Sequence, residues 1–143
     1  MRALQEFYRI AEQENISVDF FSLQSREALS LVDGSGQCYI AIDPEKLSGE
    51  SDERAKLAHE LGHCMTGAFY NRYSDFDCRQ RHENKADKWA ICAVITEDEL
   101  DEAIAEGRTS FWELAEYFGV PESLMKKAVC WYTYGNLAAD LYF

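Results

Sequence analysis

Two histidines four residues apart, His59 and His63, sit in a stretch whose apolar residues recur at helical spacing, and this limits what the chain can fold into. Residues four apart lie on one face of an α-helix, so both imidazoles can reach a single ion. Leu57, Leu61, Cys64, Met65 and Ala68 form an apolar stripe roughly opposite the two histidines, and the spacing predicts that this stripe packs on a core. The histidines would then face a cleft while the other side anchors the helix. Ser51 is placed to cap this helix, with Asp52 and Glu53 at the positive end of its dipole.

The rest of the chain supplies elements for that helix to pack against. Leu4, Phe7, Tyr8 and Ala11 recur at helical spacing, which predicts a first helix over Leu4–Asn15. Three short β-prone stretches follow, Val18–Leu23, Ala28–Val32 and Cys38–Ile42, with the turn signal Asp33-Gly34-Ser35-Gly36 between the last two. They read as a small antiparallel sheet ending at Asp43-Pro44. Asn71–Arg81 lacks clear periodicity and reads as a loop, and a strong helix follows from about Glu83 to Ile95. Thr96 caps an acidic helix over Glu97–Glu106 that stops at Gly107, and two further helices, Ser110–Phe118 and Glu122–Tyr134, flank Gly119-Val120-Pro121. The expected class is α+β, helix-rich with a three-stranded antiparallel sheet, in one domain over residues 1–143.

Composition bears on partners and compartment. The formal net charge is −12, a surface that opposes a phosphate backbone, so direct nucleic-acid binding is not expected. No apolar run is long enough to span a bilayer, and the N-terminus turns polar within a few residues, so neither a membrane nor a signal peptide is expected. Five cysteines, at 38, 64, 78, 92 and 130, are spread without a CxxC pair and suggest no disulfide framework. Cys64 and Cys92 lie in apolar helical patterns, where a free thiol behaves as a small core residue. These features predict a cytoplasmic protein.

The chemistry rests on His59-Glu60-Leu61-Gly62-His63. This is the HExxH arrangement in which two histidines hold zinc and the glutamate acts as general base, here Glu60. A catalytic zinc takes three protein ligands and leaves a position for water, so a third ligand is needed from a neighbouring element. Glu83 opens the helix Glu83-Asn84-Lys85-Ala86-Asp87-Lys88-Trp89-Ala90 and shares a face with Asp87, Ala90 and Val94, while Ala86 and Ala90 would permit a close approach. Asp87, one turn on, could accept a hydrogen bond from a ligating histidine and fix its tautomer, or stand as a solvated charge. His82, Tyr70 and Tyr73 are candidates to stabilise the oxyanion formed during hydrolysis, although for each a solvated or packing role is the simpler reading.

HELGH, the later ENKADKWA and the segment FWELAEYFGVPESL together resemble the ImmA/IrrE family of metallopeptidases, which carries HExxH, an ExxA(D/N)xFA motif and a helix ending in LAxxFGVP. The similarity runs from about Ile40 to Lys127. The resemblance implies a zincin-like fold and a cytoplasmic zinc endopeptidase with one zinc per chain, held by His59, His63 and Glu83, with Glu60 as base. It also implies a substrate: ImmA-like members, encoded by phages and mobile elements, cleave a helix-turn-helix repressor. The chain departs from the pattern at Trp89-Ala90, where the family has FA, and at Val94-Ile95-Thr96-Glu97, where it has LLMP; neither touches a ligand.

Two other classes compete. Residues 113–128 read like a helix-turn-helix, with Ala115, Gly119 and Val120 at suitable spacing, which would make the protein a DNA-binding regulator. Against that stand the acidic charge and a second helix that offers only Lys126 and Lys127 to phosphates. A catalytically silent zinc-containing binding module is the other, and an intact Glu60 argues against it. For the enzyme, Cys38–Ile42 is the expected edge strand for substrate addition.

Overall fold

The computed structural model describes residues 1–71 and 73–135. The element order is α1 (Leu4–Gln13), β1 (Ser17–Phe20), β2 (Ala28–Val32), β3 (Cys38–Ile42), a 3-10 turn (Pro44–Lys46), α2 (Glu50–Thr66), α3 (Phe76–Val94), α4 (Glu97–Ala105), α5 (Phe111–Phe118) and α6 (Glu122–Tyr134). The class is α+β and helix-rich, as expected from the sequence.

The sheet is mixed rather than antiparallel, with the strand order β1-β3-β2. The Asp33–Gly36 turn does form the hairpin, pairing Val32 with Cys38 and Ala28 with Ile42. β1, however, pairs with the other side of β3 and runs parallel to it, Ser17 opposite Tyr39 and Phe20 opposite Ile42. A parallel pair needs a crossover connection, and here β2 itself is that connection. Cys38–Ile42 is therefore the centre of the sheet and not an edge; the strand with an unpaired side nearest α2 is β2. The central position suits the sequence, since Ile40 and Ile42 are buried.

Four other expectations are corrected. The helix α2 starts at Glu50 with Gly49 as its N-cap, so Ser51 lies inside the first turn. Met65 is 39% exposed and outside the core, while Leu57 and Leu61 are buried as expected. α3 begins at Phe76, seven residues before Glu83, with the Asp75 side chain accepting from Cys78 N. Its first two turns are mostly polar and none of their residues is buried, so they carry no apolar periodicity, and Glu83 lies in mid-helix rather than at its start. Finally, Cys38 of β3 and Cys64 of α2 form a disulfide, with Cα atoms 6.0 Å apart. The two are 26 residues apart in sequence, and only the packing of β3 across α2 makes them neighbours. Cys78, Cys92 and Cys130 are free thiols.

The core gathers Phe7 from α1, Ile40 and Ile42 from β3, Leu57 and Leu61 from α2, Ile91 and Val94 from α3, and Phe118 and Met125 from α5 and α6. α2 and α3 approach so closely at one point that a side chain would not fit: a Cβ on Gly62 would lie 2.4 Å from the Ala86 carbonyl oxygen. Two small residues thus let backbone meet backbone and bring the polar faces of the two helices together.

The segment between β1 and β2 is pinned from below. Asp43 is 2% exposed, and its Oδ2 accepts from Leu23 N at 2.9 Å, while its own N–H donates to the Glu27 carbonyl at 2.9 Å. Lys46 Nζ donates to three carbonyls of the same segment, those of Leu23, Gln24 (3.2 Å) and Arg26 (3.0 Å). A loop whose backbone groups are satisfied in this way is held in one conformation.

Candidate functional site

His59 and His63 project from α2 towards Glu83 on α3. His59 Nε2 lies 2.8 Å from Glu83 Oε2, and His63 Nε2 lies 3.3 Å from Glu83 Oε1. One ligand atom from each of the three residues falls within 4.8 Å of the other two. Ligands about 2.0–2.2 Å from one tetrahedral ion are roughly 3.3 Å apart. The trio therefore fits an ion after a shift of about half an ångström at the His59–Glu83 contact.

The far nitrogens of both rings are already engaged. His59 Nδ1 is 2.8 Å from Asp87 Oδ1, and His63 Nδ1 is 2.5 Å from the carbonyl oxygen of Ala68. Both partners are acceptors, so in the neutral ring each Nδ1 keeps the hydrogen and each Nε2 lone pair is left for the shared point. Ala68 reaches His63 because Gly67, in the left-handed conformation with φ of 68°, ends α2 and folds the chain back. The Ala68 carbonyl has no signature in the sequence; the glycine after the helix is its only trace.

The charges follow from this geometry. Burial opposes a proton on His59, but the Asp87 and Glu83 carboxylates outweigh it and push its pKa up to about 10. His63 is buried and likewise raised, Glu83 being the main acceptor that overrides burial. Burial would raise Glu83 and Asp87, yet the histidines hold Glu83 far below the ordinary carboxylate range and Asp87 below it too. Asp87 also pairs with Lys127 of α6. That pair places one of the two lysines considered for phosphate contact against a cleft carboxylate instead.

Glu60 is 8% exposed and lines the same cleft as His59, Tyr70, Glu83 and Asp87, a depression of about 550 Å³. A second depression, bounded by Leu29, Ser30 and Leu31 of β2, shares Glu60, Tyr70 and Glu83 with the first. The unpaired side of β2 thus borders the site.

The three candidates for oxyanion contact separate clearly. The Tyr70 hydroxyl donates to Glu83 Oε1 at 2.7 Å and lines both depressions. Burial and that carboxylate raise its pKa above the usual phenol value. The His82 ring stacks on Tyr70 with centroids 6.4 Å apart, and its Nδ1 is buried with no hydrogen-bond partner among the described residues. Tyr73 is 80% exposed on the loop after α2. Only Tyr70 is brought to the cleft.

The helix-turn-helix-like segment is built as core. Leu114, Phe118 and Val120 are buried, and Leu124 is partly buried against the same cluster. The buried Arg54 of α2 donates to the Phe118 carbonyl and, at 2.9 Å, to that of Gly119, closing the C-terminal end of α5. No helix among the described residues is long and apolar enough to cross a membrane.

A search of curated proteins finds no match. The Peptidase_M78 profile, described as the IrrE N-terminal-like domain, matches residues 11–129, which include α2, α3 and every residue of the His-His-Glu cluster. With a cluster compatible with a metal site and a match across most of its length, the chain belongs to the Peptidase_M78 family of IrrE N-terminal-like metallopeptidases.

Proposed function

We propose that the protein is a zinc-dependent endopeptidase whose substrate is a repressor-type protein of a phage or mobile element, acting in the cytoplasm. The observation that carries the metal reading is the pair of Nδ1 contacts. With Asp87 and the Ala68 carbonyl engaged there, both Nε2 atoms converge on Glu83. In this reading His59, His63 and Glu83 are the ligands, Asp87 orients His59, and two imidazoles with one carboxylate suit zinc with a position left open. The bound ion supplies Lewis acidity, which acidifies water and polarises a carbonyl.

The chain's own residues do the rest. Glu60, buried beside the cluster, takes the proton from the attacking water and delivers it to the leaving amine. An extended substrate adds to the unpaired side of β2, whose residues Leu29–Leu31 border the second depression. Tyr70 stands at the junction of the two depressions, in reach of the scissile group. In a reducing compartment Cys38 and Cys64 would stand side by side as thiols. The acidic charge and the buried face of α5 and α6 favour a protein substrate over DNA as the partner.

Co-expression with the repressor encoded beside its gene tests the reading. Wild type is expected to cleave that protein, and Glu60→Gln to leave it intact while retaining zinc. Sequence-specific, salt-sensitive binding to promoter DNA with no cleavage would reverse the assignment. Zinc retained with neither activity would leave a silent binding module.

A further inference from the structure

Three cations line the main cleft: Arg26, Lys56 and Lys127. Two are committed to carboxylates. Lys56 pairs with Asp52 and Glu27, and Lys127 pairs with Asp87. Arg26 has no carboxylate within ion-pair distance among the described residues, although the chain carries 26 acidic side chains against 14 basic ones. Other cations of the chain also lack a carboxylate partner among the described residues, so it is the position of Arg26 that sets it apart. It belongs to both depressions, which share Glu60, Tyr70 and Glu83, and so stands where they meet. It acts on the Tyr70 hydroxyl, opposing the rise in that group's pKa caused by burial and Glu83. Its backbone is fixed, because its carbonyl is one of the three that Lys46 grips and the next carbonyl, that of Glu27, accepts from Asp43 N.

We propose that Arg26 is a catalytic residue, donating from its guanidinium to the scissile carbonyl oxygen as that oxygen gains negative charge. The inference rests on the peptidase reading. When the carbonyl carbon becomes tetrahedral, the electron pair of the C=O π bond moves to oxygen, and a preplaced cation in a cleft stabilises that charge more than it stabilises the neutral substrate. Arg26 is suited to this role: it is always charged, it offers several N–H donors, and it rests on a loop that does not have to reorganise. Tyr70, already bonded to Glu83, would orient the guanidinium rather than replace it.

The test compares zinc-loaded wild type, Arg26→Ala and Arg26→Lys. Two probes are titrated by calorimetry: a phosphinic peptide, which presents a tetrahedral anion, and a peptide hydroxamate, which chelates the metal without mimicking that anion. Arg26→Ala is expected to weaken the phosphinate about 10²-fold, of the order lost with an oxyanion donor, with the hydroxamate within about twofold. Arg26→Lys should recover part of the loss. On a fluorogenic peptide mixture kcat should fall by a similar factor with KM little changed. Zinc content should match wild type, since Arg26 is exposed and its gripped carbonyl is retained in alanine. Equal weakening of both probes, or no weakening of the phosphinate, would overturn the proposal. So would a rise in KM confined to peptides with acidic side chains, which would make Arg26 a specificity contact. Wild type that loads zinc but binds neither probe would instead overturn the peptidase reading itself.

Discussion

The two helix pairs of this molecule are built in opposite ways. α2 and α3 touch through backbone at Gly62 and Ala86 and bury Glu60, His63, Asn84 and Asp87. α5 and α6 meet across the Gly119 turn through Leu114, Phe118, Val120, Met125 and Ala128, all apolar and buried. Burying charged groups costs stability unless each is paired. The first pair therefore draws on surrounding apolar burial for its stability, and the second pair provides part of it. Among the contacts that join them are Arg54 reaching the end of α5, Lys127 reaching Asp87, and Lys88 over the Trp131 ring. The comparison teaches that substitutions on the facing sides of α2 and α3 should change chemistry, and those in α5–α6 away from the cleft residues Ser123, Leu124 and Lys127 should change stability alone.

The largest expected effect tests the first half of that statement. Glu60→Gln should lower kcat by roughly 10²–10⁴-fold, because the amide cannot accept the proton. Its zinc content and melting temperature should stay near wild type. Peptide cleavage at the wild-type rate would remove Glu60 from the mechanism, and unfolding would make it structural.

The next effect contrasts a glycine from each pair. Gly62→Ala sets its methyl against backbone, 2.4 Å from Ala86 O and 2.9 Å from Ala86 Cα, and overpacking of that kind costs about 1–3 kcal/mol or more. It should also separate the ligands, so denaturant midpoint and zinc affinity should fall together. Gly119→Ala meets Ser51 Oγ at 2.8 Å, a side-chain end that can turn away, and its φ of 64° costs about 1–2 kcal/mol. Stability should drop there with zinc affinity unchanged. Equal losses of zinc in both variants would dissolve the contrast.

A smaller effect concerns the proton that the metal must displace. In the metal-free protein His59 is raised to about 10, so it is protonated at neutral pH, whereas a ligating imidazole is neutral. Zinc binding near pH 7.5 should release at least about one proton, seen as a dependence of calorimetric heat on buffer ionisation enthalpy. Affinity should climb as pH rises towards about 10 and fall as it drops. Asp87→Ala should weaken zinc binding by about 10–100-fold and lessen the proton release, since Asp87 helps to hold the charge on His59.

The smallest effect lies wholly in the apolar pair. Ser110 and Glu113 form a capping box at the start of α5, and Ser110→Ala should cost about 1 kcal/mol. Zinc affinity and cleavage should not change. A loss of either would show that α5–α6 contributes more to the site than its cleft-lining residues Pro121, Ser123, Leu124 and Lys127.

What could be read in advance follows the same division. Local rules placed β2, β3 and α6 at their observed bounds, and the cap Thr96 announced α4, while Ser110, read as the first residue of α5, is its N-cap. The grouping of His59, His63 and Glu83 was legible because HExxH is a local pattern on one helix and Glu83 lies in a second local motif. The parallel pairing of β1 with β3 was not, since it depends on which side of the hairpin the first strand docks. Nor was the start of α3 at Phe76, where mostly polar turns with no buried residue show no periodicity. The Cys38–Cys64 bond, the Ala68 carbonyl on His63 and the position of Arg26 all arise from segments meeting in space. No spacing in the sequence encodes them.

The contact between Gly62 and Ala86 has a consequence for ion choice. Side chains between two helices can adjust by changing rotamer, but peptide against peptide has no such slack. The span between the histidine-bearing helix and the glutamate-bearing helix is therefore a fixed aperture. A small ion satisfied by four ligands suits it, whereas calcium, with its six to eight oxygen ligands at longer range, would need the jaws to open, and the backbone contact holds them at one width.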